Sequence, residues 1–316
     1  MKQAFKQDFL EKNIDKTKKE EKVIAVVVTY NRKELLKECI NALLKQDYNN
    51  CDILVVDNAS TDGTKEYIYN ELKNNKVHYV NTGSNLGGAG GFNYGMKEAY
   101  KIGCDFMWLM DDDCIVHNNT LTELMKADEK LKGNYGFLSS KVLWKDGSIC
   151  KMNIPKINIK NKVTDWNVEK QKIILATFVS FFVKTNVVED VGLPIKEFFI
   201  WSDDLEYSRR ISLKYNCYLI NNSIVTHKSK NNIGSNIAED SNQNLKRYSY
   251  AYRNEMYLYR REGLKGKIYF RLKILLHKYK ISKSKNTKQD KIIRKEIIDN
   301  ALKEGKNFFP KVEYLK

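Results

Sequence analysis

Residues 106–113 read Phe-Met-Trp-Leu-Met-Asp-Asp-Asp, five bulky apolar side chains followed at once by three carboxylates. The apolar run fits a strand buried on both faces. The acids close it either as a solvated turn or as a charged edge that needs a counter-charge. Working outward, residues 23–30 (VIAVVVTY) and 51–56 (CDILVV) are two more continuous β-branched runs, and 77–80 is a shorter one. Between the first two, Leu36, Ile40 and Leu43 recur at helical spacing, with Asn31 as the expected cap. Ser60 or Thr61 is expected to cap a second helix through about residue 72. A glycine-rich loop at 83–91 leads into a helix over 92–102. This alternation predicts parallel βαβ units with right-handed crossovers.

After residue 113 the pattern changes. Residues 135–151 and 172–183 read as strands around a polar, Lys/Asn-rich excursion at 156–170. A helix over 203–214 follows, then short strands at 218–220 and 224–226, then helices from 242 on. The expected architecture is α/β, with a mixed, mostly parallel sheet and a helical C-terminal extension.

The net charge of +16 belongs mostly to one end. Residues 260–316 hold 18 Lys and Arg against 6 Asp and Glu, whereas residues 23–259 hold 30 against 28. A nearly neutral main body excludes a broad phosphate-tracking surface there, so nucleic acid is not an expected partner. Six cysteines without CxxC spacing argue for reduced thiols rather than a disulfide framework. No apolar run approaches the roughly 18–20 residues of a membrane span. Residues 1–22 alternate charges and do not read as a secretory signal. These features predict a cytoplasmic chain.

In open parallel sheets, ligands bind beyond the carboxyl ends of the strands. Those ends carry Thr29-Tyr30-Asn31-Arg32, Asp57-Asn58, Asn85 with the glycines around Gly88, and Asp111-Asp112-Asp113. In an extended segment Asp111 and Asp113 point the same way and can share a divalent ion, while Asp112 faces elsewhere. The run Gly87-Gly88-Ala89-Gly90-Gly91 admits close backbone approach by a ligand. It fails the dinucleotide fingerprint, because Asn93 stands at the third glycine position. Asp57 is either an acceptor for a uracil or thymine imide or a turn-capping residue. Asp203 and Asp204 open a helix where the dipole favours carboxylates, and serve either as a plain cap or as chemistry. Trp201 beside them offers an apolar face to a sugar ring or joins the core. His227 ends another strand and is either structural or an imidazole ligand for an ion such as Mn²⁺.

With these motifs in this order, residues 23–259 resemble family 2 of the glycosyltransferases, which adopt the GT-A fold. VVVTYNR resembles the family's first nucleotide-binding strand, and VVDNASTDGT its second strand and turn. The acidic triplet stands at the metal-binding DxD position, and SDDLEYSRR resembles the segment carrying the catalytic base. NLGGAGGFNYGM, with DD-x-E-Y and a His about twenty residues later, looks most like the galactofuranosyltransferases. Ser202 between Trp201 and the acidic pair departs from that subgroup's pattern. The resemblance implies that Asp111, Asp113 and His227 hold Mn²⁺ or Mg²⁺ against the donor diphosphate. It also implies Asp204 as general base with Asp203 as its neighbour, Trp201 toward the acceptor, and Arg32, Asp57 and Asn85 on the nucleotide. Thr29, Tyr30, Asn31, Gly88 and Asp112 complete the expected donor pocket.

The implied activity is inverting transfer of a sugar, galactofuranose from UDP-galactofuranose, to a glycan or lipid-linked acceptor. A rhamnosyltransferase using dTDP-rhamnose is the nearest alternative. A non-catalytic membrane- or nucleic-acid-binding protein is the rival from another class, and it leaves both acidic clusters without a purpose. The expected division is a charged segment (1–22), a catalytic domain (23–259, donor half about 23–115, acceptor half about 116–259) and a basic helical tail (260–316). Within the tail, residues 266–281 place Ile268, Leu272, Leu275, Leu276 and Tyr279 on one helical face flanked by Lys and Arg. That is either a helix peripheral to an anionic membrane's inner face or one packed on the domain with a solvated basic edge.

Overall fold

The computed structural model describes residues 20–316, so the expectation for residues 1–19 lies outside the described residues. Among the described residues, nine strands join in one sheet. They are β1 (Val23–Thr29), β2 (Cys51–Asp57), β3 (Val77–Asn81), β4 (Phe106–Asp111), β5 (Cys114–Val116), β6 (Phe137–Trp144), β7 (Lys170–Ile173), β8 (Phe181–Lys184) and β9 (Cys217–His227). Their order is β3-β2-β1-β4-β8-β6-β9-β5, and β7 pairs with the first four residues of β9. Strands β3, β2, β1 and β4 are mutually parallel, as the βαβ reading requires. Strand β8 then enters antiparallel to both β4 and β6, β6 and β9 are parallel, and β5 pairs antiparallel to the end of β9.

The helices are α1 (Lys33–Leu43), α2 (Thr64–Tyr67), α3 (Gly87–Ile102), α4 (Thr120–Leu131), α5 (Thr185–Val191), α6 (Asp203–Ser212), α7 (Leu245–Arg260), α8 (Gly263–Lys283) and α9 (Lys288–Lys306). Alternation along the buried strands sorts the core into two layers. Val23, Ala25, Val27, Ile53, Val55, Trp108 and Met110 pack with Leu36 and Ile40 of α1. Ile24, Val26, Val28, Leu54, Val56, Met107 and Leu109 pack with Phe92, Met96 and Ala99 of α3.

Several local expectations are corrected. The glycine run is not a loop, because α3 already begins at Gly87. Its glycines serve close helix–sheet packing: a Cβ on Gly91 would lie 2.6 Å from Val28 Cγ1 and 2.9 Å from Asn58 Nδ2. Asn31 does not cap α1. It sits at φ +54°, and its Oδ1 accepts from Thr61 N at 2.7 Å while Ser60 Oγ accepts from Asn31 N at 2.9 Å. The two loops after β1 and β2 are thus tied to each other instead. Neither Ser60 nor Thr61 caps a long helix, since α2 has only four residues and starts after Gly63 at φ +78°. The span 172–183 splits into β7 and β8, and the two short strands expected around residue 222 are one continuous β9.

Helices α7, α8 and α9 share a core of their own, in which Tyr248, Tyr252 and Tyr259 meet Phe270, Ile274, Ile281 and Ile298. The chain then returns to the sheet domain. Leu193 N donates to Glu313 O at 2.7 Å, and Lys97 pairs with Glu313 at 2.8 Å.

Candidate active site

The three acids after β4 do not continue the strand. The β1–β4 ladder ends at Val28 against Asp111, residues 112 and 113 turn, and β5 starts at Cys114. The strand alternation expected for the triplet therefore fails, and Asp112 and Asp113 share a partner. Arg32 Nη1 donates to Asp112 Oδ1 at 3.1 Å and to Asp113 Oδ2 at 2.9 Å. Thr29 Oγ1 donates to Asp112 Oδ2 at 2.7 Å. Thr29 and Arg32, expected against a nucleotide, thus hold the acidic turn in place. Tyr30 lies exposed beside them.

From the end of β9, paired with β5 next to the turn, His227 Nε2 approaches Asp113 Oδ1 at 3.1 Å. Asp113 Oδ1 is buried and makes no directed hydrogen bond. The histidine is set by residues the sequence did not single out. Its Nδ1 lies 2.8 Å from Asn153 Oδ1, and Asn153 Nδ2 donates to Thr177 Oγ1 at 2.9 Å. That arrangement turns Nε2 toward the acids, as an imidazole ligand requires. Asn153 lies between β6 and β7, where no local pattern marks a functional side chain.

The electrostatics show a cluster short of positive charge. Burial, then the neighbouring Asp113, push the Asp111 carboxyl up to about 7. Burial raises Asp112 to about 6 against the pull of Arg32. Asp113 is buried too, yet the contact and charge of His227 and Arg32 outweigh that and hold it below the usual carboxylate range. Burial disfavours the imidazolium of His227, but Asp113 reverses this and lifts it to about 10. In the cation-free cluster Asp113 thus favours the charged imidazolium of His227. Two hard carboxylates, one of them with a buried oxygen that lacks a directed hydrogen bond, and an imidazole are ligand types that suit Mn²⁺ or Mg²⁺. Among the described residues, no three such groups are gathered closely enough to hold an ion.

The second acidic pair lies near the first, since the charge of Asp111 is felt at Asp204. Asp203 and Asp204 form the first turn of α6, and Asp204 Oδ1 accepts from Leu205 N at 2.7 Å. Burial pushes Asp204 up to about 7, and the charge of Asp111 adds to the shift. Burial and Asp204 push Asp203 up to about 8. The backbone leading in is strained: Phe199, Trp201 and Ser202 all have positive φ, at 62°, 65° and 64°. Phe199 centres a γ-turn of the rarer hand (ψ −61°), closed by Ile200 N on Phe198 O at 2.7 Å. Each such residue costs on the order of 1 kcal/mol or more. Trp201, half-buried, lies edge-on to Tyr248 at 4.9 Å and packs against the helical core.

The glycine helix packs against the strained loop before α6. Ala89 N donates to Phe199 O at 3.1 Å, and a Cβ on Gly87 would lie 2.1 Å from that oxygen. Gly87, at φ +72°, must therefore be glycine on both counts. Asn85 Oδ1 accepts from Gly87 N at 2.9 Å, and Asn58 Nδ2 donates to Gly87 O at 3.0 Å. Gly88 is half-buried, with open space where a Cβ would stand. Asp57 is 1% exposed, with its oxygens taken by Ser60 N at 2.8 Å and Tyr79 OH at 2.6 Å. Of its two readings, the turn role is the one present here.

The sequence profile of glycosyl transferase family 2 matches residues 24–192. The chain belongs to this family. A galactofuranosyltransferase of Mycolicibacterium smegmatis is 41% identical over 93 residues, covering 29% of this chain and 30% of that one. A galactofuranosyltransferase of Mycobacterium tuberculosis is 27% identical over 208 residues, 60% of this chain and 64% of that one. The aligned stretches thus span less than two thirds of these relatives. Among solved structures, a mannosyltransferase from Pyrobaculum calidifontis in complex with GDP-Man and Mn²⁺ matches with TM-score 0.59 at 14% identity, over 96% of this chain and 93% of that one. Staphylococcus aureus TarS in complex with UDP-GlcNAc matches with TM-score 0.53 at 15% identity, over 89% and 72%. The fold is therefore the GT-A fold, as the motifs implied.

Proposed function

We propose that the chain is an inverting, divalent-metal-dependent glycosyltransferase that takes galactofuranose from UDP-galactofuranose. The observation that carries the reading is the nearness of two acidic groups from separate parts of the chain, close enough for the charge of Asp111 to raise Asp204. The names of the relatives support the furanose donor. The Mn²⁺ held by the mannosyltransferase neighbour supports the metal.

In this mechanism Asp111, Asp113 and His227 would hold the cation, which supplies charge neutralisation for the departing diphosphate. An acceptor hydroxyl attacks the anomeric carbon from the face opposite the nucleotide. The new C–O bond forms as the bond to phosphate breaks, the electron pair leaves with the nucleoside diphosphate, and the configuration inverts. Asp204 takes the hydroxyl proton late, once bond formation has acidified it. A base raised to about 7 is better matched to this transfer than a free Asp at about 3.9.

Incubating the protein with Mn²⁺ and a panel of UDP- and dTDP-sugars, and reading nucleotide release and melting shifts, tests the reading. The expected result is a selective response to UDP-galactofuranose. A response to dTDP-rhamnose alone would replace the donor and keep the chemistry. Silence toward every donor, with a range of glycan acceptors present, would sink the enzyme reading.

The acceptor reading extends to a membrane surface on the cytoplasmic side. No described helix is long and apolar enough to cross a membrane. Helix α8, however, buries Gly266, Phe270, Ile274 and Ile281 against its neighbours while its other face stays open. Leu264, Ile268, Leu272, Leu275, Leu276 and Tyr279 are each 49–74% exposed on that face. Lys267, Arg271, Lys280 and Lys283 lie exposed around them, whereas Lys273 and Lys278 turn inward to Glu255 and Asp299. The helix is thus packed and still presents an apolar stripe with basic flanks, the composition that docks on anionic lipid. We expect sedimentation with phosphatidylglycerol vesicles at low salt, weakened by added salt and by Leu272→Glu. No binding at low salt would remove the membrane contact.

A further inference from the structure

We propose that Asn254, on α7, is a positioning residue for the Asp203–Asp204 pair, acting through the strained backbone that leads into α6. The proposal rests on Asp204 being the base of the reaction above. Asn254 is fully buried, and its Nδ2 donates to three carbonyls of that backbone: Phe198 at 3.0 Å, Ile200 at 3.2 Å and Trp201 at 2.9 Å. Its Oδ1 accepts from Arg253 Nε at 3.1 Å, which turns the amide hydrogens toward the loop. The Arg253 guanidinium reaches the same segment, donating to Glu197 O at 2.7 Å, and is held from behind by Glu304 of α9 at 2.8 Å.

The geometry is specific to the strained residues. With positive φ at Phe199 and Trp201, the carbonyls of residues 198–201 join no helical or sheet ladder, whereas Ser202 O already accepts from Glu206 N at 2.9 Å as the start of α6. Buried carbonyls without a ladder need another donor. One side-chain amide supplies it for Ile200 O and Trp201 O and adds to the Ile200 N already on Phe198 O, and Ala89 N supplies it for Phe199 O. The loop is therefore gripped from α7 on one side and from the glycine helix on the other. Relaxing either grip lets residues 199–202 move toward ordinary dihedrals, which swings the first turn of α6 and the carboxylates on it. Asn254 touches no acid and no reacting atom, so its effect falls on placement.

The test is Asn254→Leu, which keeps the side chain's size and removes its donors. Affinity for UDP with Mn²⁺ should stay within about threefold of wild type, because the donor half is untouched. Turnover with saturating donor and acceptor should fall on the order of 100-fold, as displacement of a catalytic group by about 1 Å does. Amide hydrogen exchange over residues 199–205 should speed up while β1, β2 and β4 stay protected. If Asn254→Leu melts far below wild type, Asn254→Ser, which keeps one donor, carries the same comparison. Turnover within about threefold of wild type overturns the proposal, and so does a matched loss of turnover and UDP affinity. If the wild-type chain transfers no sugar from any donor, the function above has failed, and exchange decides the clamp alone. Unchanged exchange over 199–205 in the variant would then overturn it.

Discussion

Replacing Asp204 by Asn is expected to lower turnover by about 10²–10⁴-fold, the usual contribution of a positioned general base. The change keeps the shape of the side chain and an oxygen for Leu205 N, so α6 should still start where it does. Donor affinity and melting temperature should barely move, and calorimetry with UDP and Mn²⁺ checks both. The pH profile adds a second reading. The base works deprotonated, so the wild-type rate should rise with pH, on a limb set by the Asp203–Asp204 pair together. Burial places that limb well above the ordinary Asp range, near the value of about 7 that Asp204 has without a cation. A cation on Asp111 offsets that residue's push and draws the limb lower. A variant that folds, binds UDP and keeps most of its rate would remove Asp204 from the mechanism.

Asp113→Asn is expected to abolish the melting shift produced by Mn²⁺ and to cost more than the 10–100-fold loss typical of residues that only support a metal ligand. Asp113 is where Arg32, His227 and the proposed cation all meet. In wild type the Mn²⁺ shift should grow from about pH 6 to about pH 8, because the cation displaces protons from Asp111 and His227. Those groups sit near 7 and near 10 without it. The sign for the cation-free protein is the opposite for Asp111. Its folded pKa lies above the unfolded value, so the folded state holds its proton more tightly. Its contribution to stability is therefore lost as pH rises from about 4 through about 7. Melting curves with and without Mn²⁺ across this range separate the two effects. A Mn²⁺ shift that survives in Asp113→Asn, or that is flat with pH, would place the metal elsewhere.

The acidic triplet shows how far local reading goes. The five apolar residues before it identify a doubly buried strand, and the abrupt change to carboxylates marks its carboxyl end. What each acid touches is not local, because Arg32 comes from the end of β1 and His227 from the end of β9. The expectation that Asp112 faces away assumed a strand, and the chain turns there. The glycine run misled in the same manner. A sequence rich in glycine reads as a loop by propensity, but here the glycines let a helix lie against Val28 and Asn58. Tertiary packing outweighed propensity.

By itself the sequence determined the parallel half-sheet, the order of its polar strand ends and the two acidic groups. Each of these is written in short-range patterns of burial and charge. The tertiary structure alone decided what holds those groups in working positions: Thr29 and Arg32 on the acidic turn, Asn153 behind His227, and Asn254 on the strained loop before Asp203. The partners in these contacts lie between about 50 and more than 80 residues apart in the chain. A hydrogen bond needs its donor and acceptor within about 3 Å, which no periodicity of the intervening sequence encodes. Only the folding of the sheet and the packing of α7 against the loop before α6 bring them there.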